Sequence, residues 1–293
     1  MTLFCRFILV SSLLFTGACK PEGPTETGAY DFGSIPSRAP IQPGLIDEAS
    51  GLADSRTMAG YVWVNEDSGT PAQLNLLSHG GALAGRLALP GITNRDWEDM
   101  AAGPGPQSGL TYLYLADIGD NLAQNEQNAI YRLAEPTSLS QPVGAIDRIA
   151  FRYADGPRDA ETLLLDPLTR DLWIVSKGEA NGRLYHLPYP QSTTTVNTAV
   201  FRGELPLALV TSGSISPGGQ EILLKTYLGV YYWPRATGQT VADALVGTKS
   251  YSLTYQLEPQ GEAICFDKGG NGFFTLSERG NATSVTLNYY KHQ

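Results

Sequence analysis

The chain has 293 residues, 42% of them hydrophobic and 17% charged, enough apolar material for a sizeable core and too much for a disordered chain. Its 20 basic and 29 acidic residues leave a net charge of −9, which excludes the positive stripe that a nucleic-acid binder uses to displace phosphate counterions. The 32 glycines, 19 prolines and 15 tyrosines point to many short strands joined by turns, not to long helices.

Residues 1–18 read as an export signal. Arg6 precedes the apolar run Phe7-Ile8-Leu9-Val10-Ser11-Ser12-Leu13-Leu14-Phe15, and the small residues Thr16, Gly17 and Ala18 follow; that order is the signature of a secretory signal. The run is shorter than the about 20 apolar residues of a membrane span. Gly17-Ala18-Cys19 resembles a bacterial lipoprotein processing site. The resemblance implies that Cys19 becomes the lipidated first residue of the mature chain, with palmitate among its acyl groups, and holds the protein to a membrane. Lys20 after the cysteine is similar to the outer-membrane pattern of two-membrane bacteria. An ordinary signal peptide with an incidental cysteine is the alternative. Residues 19–45, with Pro21, Pro24, Pro36, Pro40 and Pro43, read as a tether holding a single domain, 46–293, off the bilayer. Once Cys5 leaves and Cys19 is lipidated, Cys265 remains alone, so an intramolecular disulfide is excluded. Its apolar setting, Ala263-Ile264-Cys265-Phe266, suits a core thiol.

From Glu48 onward one pattern recurs. A small or acidic anchor precedes an apolar residue; a turn and an apolar-aromatic strand with a polar end follow. The anchors Ser50, Glu98, Glu161, Gly213 and Glu262 lie 48, 63, 52 and 49 residues apart. Each leads to its own strand: Tyr61–Val64, Tyr112–Leu115, Leu172–Val175, Ile222–Leu224 and Phe273–Leu276. A period of about 40 to 50 residues marks four-stranded propeller blades. The expected fold is therefore an all-β propeller of five four-stranded antiparallel blades, with a sixth blade inside the long second repeat as the alternative. The last repeat is one strand short before the chain stops, and an unpaired edge invites aggregation. A strand from the N-terminal segment, within Ile41–Leu45, would complete it.

In such a blade the start of the first strand and the end of the second lie on the same face of the disc. Glu98, Glu161 and Glu262 should then ring one channel mouth, with the second-strand ends Asp67, Asp117, Asp120, Asn121, Lys177, Lys225 and Glu278 around them. Two charges about 5 Å apart repel by roughly 3 kcal/mol at an effective dielectric of 20. Raised pKa values, the lysines or a bound cation must answer that repulsion. Calcium suits such oxygen donors. Asp67, Asp96, Asp117 and Asp120 are its candidate ligands, while Glu98, Glu161, Glu262 and Lys177 are candidate ligand-binding groups. Asp and Asn beside Gly also form turns through their own backbone, and Glu can cap strand starts, so both readings stand. Trp63, Trp97, Trp173 and Trp233 read as packing residues between blades. His79, His186 and His292 are scattered, and the Gly-x-Ser-x-Gly and His-Glu-x-x-His signatures are missing from the sequence, which leaves no catalytic motif to follow.

Asp96-Trp97-Glu98-Asp99-Met100-Ala101, Asp117-Ile118-Gly119-Asp120-Asn121, Asp159-Ala160-Glu161-Thr162 and Gln260-Gly261-Glu262-Ala263-Ile264 together resemble a family of uncharacterised secreted bacterial β-propeller proteins. More distantly the chain is similar to phytase-like and SdiA-regulated propellers. The resemblance implies a propeller and, from the distant relatives, calcium. The expectation is a cell-envelope lipoprotein, at the outer membrane, that binds a small molecule or an envelope protein at an acidic channel mouth with a divalent cation. A calcium-dependent phosphate- or carboxylic-ester hydrolase and a non-catalytic scaffold are the alternatives.

Overall fold

The structure, a computed structural model, describes residues 31–178 and 180–293. The signal segment, Cys19 and the first part of the expected tether lie outside the described residues. The first strand, β1 (Ser37–Pro40), is followed by β2 (Ala49–Asp54), β3 (Tyr61–Glu66), β4 (Gln73–Ser78) and β5 (Leu83–Ala88). Next come β6 (Trp97–Pro104), β7 (Thr111–Asp117), β8 (Asn128–Ala134) and β9 (Ile146–Tyr153). Then follow β10 (Ala160–Leu165), β11 (Leu172–Ser176), β12 (Gly182–Leu187) and β13 (Asn197–Leu205). The fourth set is β14 (Val210–Ile215), β15 (Glu221–Thr226), β16 (Gly229–Pro234), helix α1 (Val241–Gly247) and β17 (Tyr251–Leu253). The chain ends with β18 (Gln260–Phe266), β19 (Gly272–Glu278) and β20 (Thr286–Lys291).

These strands form five four-stranded antiparallel units, β2–β5, β6–β9, β10–β13, β14–β17 and β18–β20 with β1. The first strands neighbour one another in a closed ring, β2 beside β6, then β10, β14, β18 and β2 again. This is a β-propeller. The second and third units also share a short parallel pairing of their outer strands, β9 with β13 at Asn197–Ala199. The long second repeat holds β6–β9 and long turns.

Burial explains the strand sequences. First and second strands lie between neighbouring units, so both faces are covered and they read as apolar runs, such as Val62-Trp63-Val64 and Leu172-Trp173-Ile174-Val175. The outer β5 and β13 alternate with solvent. Each pair of adjacent units encloses its own core. Trp63 and Trp97 lie between the first and second units, Tyr114 and Tyr185 between the second and third, and Trp173 and Trp233 between the third and fourth. Phe266 and Phe273 pack between the fourth and fifth, and Val64 and Phe274 between the fifth and first. The four tryptophans are thus packing residues, each at most 4% exposed. Cys265 is a buried core thiol whose pKa burial drives well above its usual value.

The ring is closed by the N-terminal segment. β1 pairs antiparallel with β20, Ser37 opposite Tyr289 and Pro40 opposite Thr286. This strand lies just before the Ile41–Leu45 window. Within the window Ile41 N still donates to the Val285 carbonyl at 3.0 Å, and Ile41, with Ile46 just beyond, anchors the segment in the core, 2% and 1% exposed. Phe32 also bridges to His292. The folded domain therefore begins at least fourteen residues before the expected boundary at 46, counting from Phe32. A proline fits this strand because an edge position asks for no N–H on its open side.

Candidate functional site

Every first strand carries a bulge at the same place. The register with the second strand slips at Ser50, Glu98, Glu161, Thr211 and Glu262. A bulge leaves one residue unpaired and re-aims its side chain. Four of these are the sequence anchors. The fourth unit is a correction, because its equivalent position is Thr211, two residues before Gly213. Thr211 donates from Oγ1 to the Gly261 carbonyl at 3.2 Å, a local bond between adjacent units.

One residue past the bulge, Asp99 plugs the channel. It is fully buried. Oδ1 accepts from Met100 N at 2.9 Å and Ser212 Oγ at 3.0 Å, and Oδ2 from Leu163 N at 2.9 Å and Gly213 N at 3.3 Å. Ser212 Oγ in turn accepts from Ile264 N at 3.2 Å. One carboxylate thus ties β6, β10 and β14 together and reaches β18 through a hydroxyl. Burial pushes the Asp99 pKa well above the usual range, and the four donors pull the other way.

Above this plug the glutamates converge. Burial and the charge of Glu161, followed by those of Asp67 and Asp96, drive Glu98 well above the usual carboxylate range. Burial and then Glu262 push Glu161 upward, against the pull of Lys177. Burial holds Glu262 at about 7, and burial with the charges of Glu262 and Glu48 holds Glu278 at about 8. Lys177 Nζ makes an ion pair with Glu161 Oε1 and lies 5.4 Å from the Tyr227 ring centre; Glu161 and Tyr227 hold the ammonium charged. Gln260 Nε2 donates to Glu262 Oε1 at 3.2 Å and also to Glu278 Oε2. The second oxygen of Glu161, Oε2, is buried without a hydrogen-bond partner among the described residues, and the residue is only 5% exposed.

Beside Glu98, one oxygen each from Asp67, Asp96 and Glu98 lie within 4.8 Å of one another. That is the spread of oxygens placed about 2.4 Å from a single calcium ion. Gly119 closes the wall of this set. A Cβ there would strike Glu98 Oε1 and the Asp96 carboxylate, so only glycine lets the backbone approach so closely. Asn94 orients the Asp67 turn, donating from Nδ2 to the Glu66 and Asp67 carbonyls at 3.0 and 2.8 Å.

Glu98, Glu161, Glu262 and Lys177 are therefore neighbours, and Asp67 and Asp96 join them. Asp117 and Asp120 stand apart from the three-oxygen set. Asp117 Oδ1 accepts from Asp96 N at 3.0 Å and faces Arg95 Nε at 3.4 Å, so it positions the Asp96 turn. Asp120 accepts from Gln124 N at 3.0 Å and Asn125 N at 2.7 Å, the ordinary work of a turn aspartate. Lys225 is not at the mouth. It is fully buried beneath it, with Nζ 2.7 Å from Tyr255 OH and 3.4 Å from Glu258. The register puts Tyr227 where Lys177 stands in the third unit, since Val210 faces Thr226 as Ala160 faces Ser176. Tyr227 interacts with both Glu262 and Lys177, a site role that aligning the ends of β15 and β11 would have found, since each residue lies one place past its strand. The histidines stay outside the mouth, His79 on Asp54, His186 on Asp171 and His292 near Glu221.

No family model and no curated protein matches the chain. Among solved structures, hydrazine synthase from Kuenenia stuttgartiensis is similar at 10% identity and a TM-score of 0.44, over 84% of this chain and 96% of that one. The β-propeller domain of Cps50 (Swd1) from Myceliophteria thermophila is similar at 13% identity and a TM-score of 0.42, over 84% and 83%.

Proposed function

We propose that this chain is an exported, lipid-anchored propeller that binds a small ligand through a divalent cation, calcium, at its acidic channel mouth. The observation that carries the reading is the set of Asp67, Asp96 and Glu98 oxygens within 4.8 Å of one another, with the buried Glu161, whose charge bears on Glu98 and whose Oε2 is without a hydrogen-bond partner among the described residues, as a further acceptor. Buried polar atoms are nearly always satisfied, and a cation would answer the burial of charge and the repulsion that together raise Glu98. Each four-stranded unit is read as one blade, so the three carboxylates of the set come from two blades and Glu161 from a third. Asp67, Asp96 and Glu98 would hold it, with Glu161 at its edge. Lys177 and Tyr227 would face the anionic or polar part of the ligand. Calcium fits better than magnesium because the donors are carboxylates on loops and a bulge, and calcium accepts irregular sets of six to eight oxygens. The anchor on Cys19 and the outer-membrane location are proposed from the signal sequence.

Calorimetry and thermal unfolding with calcium test the site. Heat of binding, a rise in Tm and a loss of affinity of tenfold or more in Asp96→Asn and Glu98→Gln are expected. Saturation at a hundredfold excess over Kd stabilises by about 2.7 kcal/mol. No heat and no shift would sink the cation site. Turnover of p-nitrophenyl phosphate or acetate that disappears in Glu98→Gln would replace binding by hydrolysis. Cys19→Ser should release the protein from membranes, and continued retention would reject the lipid anchor.

A further inference from the structure

The opposite mouth of the channel has the reverse chemistry. The turns between first and second strands of the units surround a cavity of about 420 Å³, within the about 300–1,000 Å³ of small-molecule sites. Its walls include Pro104, Leu110, Ile215 and Pro217, and its cations are Arg56 and Lys268. Arg56 also lines the narrow pore of about 20 Å³ that leads inward along Leu52, Met100, Leu163 and Cys265. The Arg56 guanidinium has its Nη1 buried without a hydrogen-bond partner among the described residues.

The acids nearest to it are committed elsewhere. Asp54 takes His79 Nε2 at 2.7 Å and Lys268 N at 2.7 Å. Glu135 takes Ser55 Oγ at 2.6 Å, Trp63 Nε1 at 3.0 Å and only the backbone N of Arg56, at 3.1 Å. Arg132 pairs with Asp147, Arg158 with Asp155 and Arg235 with Asp166, whereas half-buried Arg170 donates to the Gly105 carbonyl and lies over the Tyr189 ring. In a chain of net charge −9, a guanidinium lining an apolar cavity with no acid paired to it among the described residues is a receptor group.

We infer that this second mouth binds an organic carboxylate with an apolar body, the carboxylate on the guanidinium of Arg56 and the body against Leu110, Ile215 and the prolines. A planar guanidinium presents two parallel N–H groups, which match a carboxylate. Lys268 at the rim adds long-range attraction. The site is independent of the acidic mouth, and failure of the calcium titration would leave it standing.

Calorimetry of the purified full chain with octanoate, octanamide and inorganic phosphate tests it. Octanoate should bind, octanamide at least tenfold more weakly, and Arg56→Gln should weaken octanoate at least tenfold. Lys268→Gln, an exposed change that the fold tolerates, should weaken it about threefold by the loss of one nearby charge. If Arg56→Gln fails to fold, Lys268→Gln and the loss of affinity at high salt decide. Equal binding of octanamide, undiminished binding in the folded variants, phosphate bound in place of octanoate, or no heat from any probe would each overturn the inference.

Discussion

Glu98 and Asp99 are adjacent in the chain and both are buried acids, yet they belong to regions with opposite logic. Asp99 meets four donors on three strands and has no free acceptor toward a neighbour. Glu98 meets other carboxylates, Glu161, Asp67 and Asp96. The first arrangement is complete without any ligand and holds the ring. The second is incomplete, and strain of that kind marks a site. The bulge explains how neighbours part so sharply: it turns Glu98 toward the mouth and leaves Asp99 aimed across the axis.

The largest expected effect comes from breaking the complete region. Asp99→Ala would leave buried N–H groups on β6, β10 and β14 without an acceptor. The cost of such a loss is about 3–5 kcal/mol. At roughly 2–4 °C per kcal/mol for a domain of this size, Tm should fall on the order of 10 °C, read by calorimetry or circular dichroism. A drop of a degree or two would show that the plug is not a keystone.

Glu98→Gln should act in the opposite direction without added metal. It removes a charge from a repelling set and keeps the shape, so the apo protein should gain about 1–3 kcal/mol. Calcium should then stabilise the variant less than the parent. Destabilisation of the calcium-free variant would mean that Glu98 is held by bonds like those of Asp99, and the contrast between the two acids would fail.

The two regions were not equally legible in the sequence. The mouth showed itself because three of its anchors are glutamates at a propeller period, and an acid is conspicuous among apolar strands. The fourth anchor was misplaced by two residues because Thr211-Ser212-Gly213-Ser214 offers only small polar residues, any of which could have been the bulge. Asp99 was hidden for the reverse reason. In Asp96-Trp97-Glu98-Asp99 three acids crowd together, and a strand with an unseen bulge does not reveal which of them faces inward. Its partners Leu163, Ser212 and Gly213 are 64 to 114 residues away, and four of the five bonds in the plug end on backbone atoms, which leave no mark on residue type. The closing strand was legible in kind, since a short last repeat demands a partner. Its register was not, because Ile41 advertised burial and not pairing.

pH sharpens the comparison. Glu262 and Glu278 have folded pKa values of about 7 and about 8, above the ordinary 4.5. Between 4.5 and those values the native state binds more protons than the unfolded state, so stability falls as pH rises. Their contribution is fully present below about pH 4.5 and lost as pH passes through 7 and 8. The metal-free protein should therefore lose Tm between pH 5 and pH 9, and saturating calcium should flatten the slope by binding the deprotonated form. A Tm that rises over this range without calcium would contradict the burial that raises both carboxyls at the mouth.

Tyr227→Phe is the smallest change and the most discriminating. At the mouth the hydroxyl favours the ionised form of Glu262 and touches Lys177, but no strand depends on it. Its removal should move Tm by no more than about 2 °C, consistent with a loss within about 0.5 kcal/mol. It should also raise the pKa of Glu262, because the ionised carboxylate loses a donor, and so shift the midpoint of the pH-dependent loss of Tm upward. Ser212→Ala deletes one hydroxyl from the plug instead, one that donates to Asp99 and accepts from Ile264 N. That loss leaves a buried N–H unsatisfied and should cost about 1–3 kcal/mol with no change in the pH midpoint. Carbon-detected NMR titration of the glutamate side chains beside the two unfolding curves separates the cases. If both hydroxyls moved only Tm, the mouth would be built like the plug, as a structural layer.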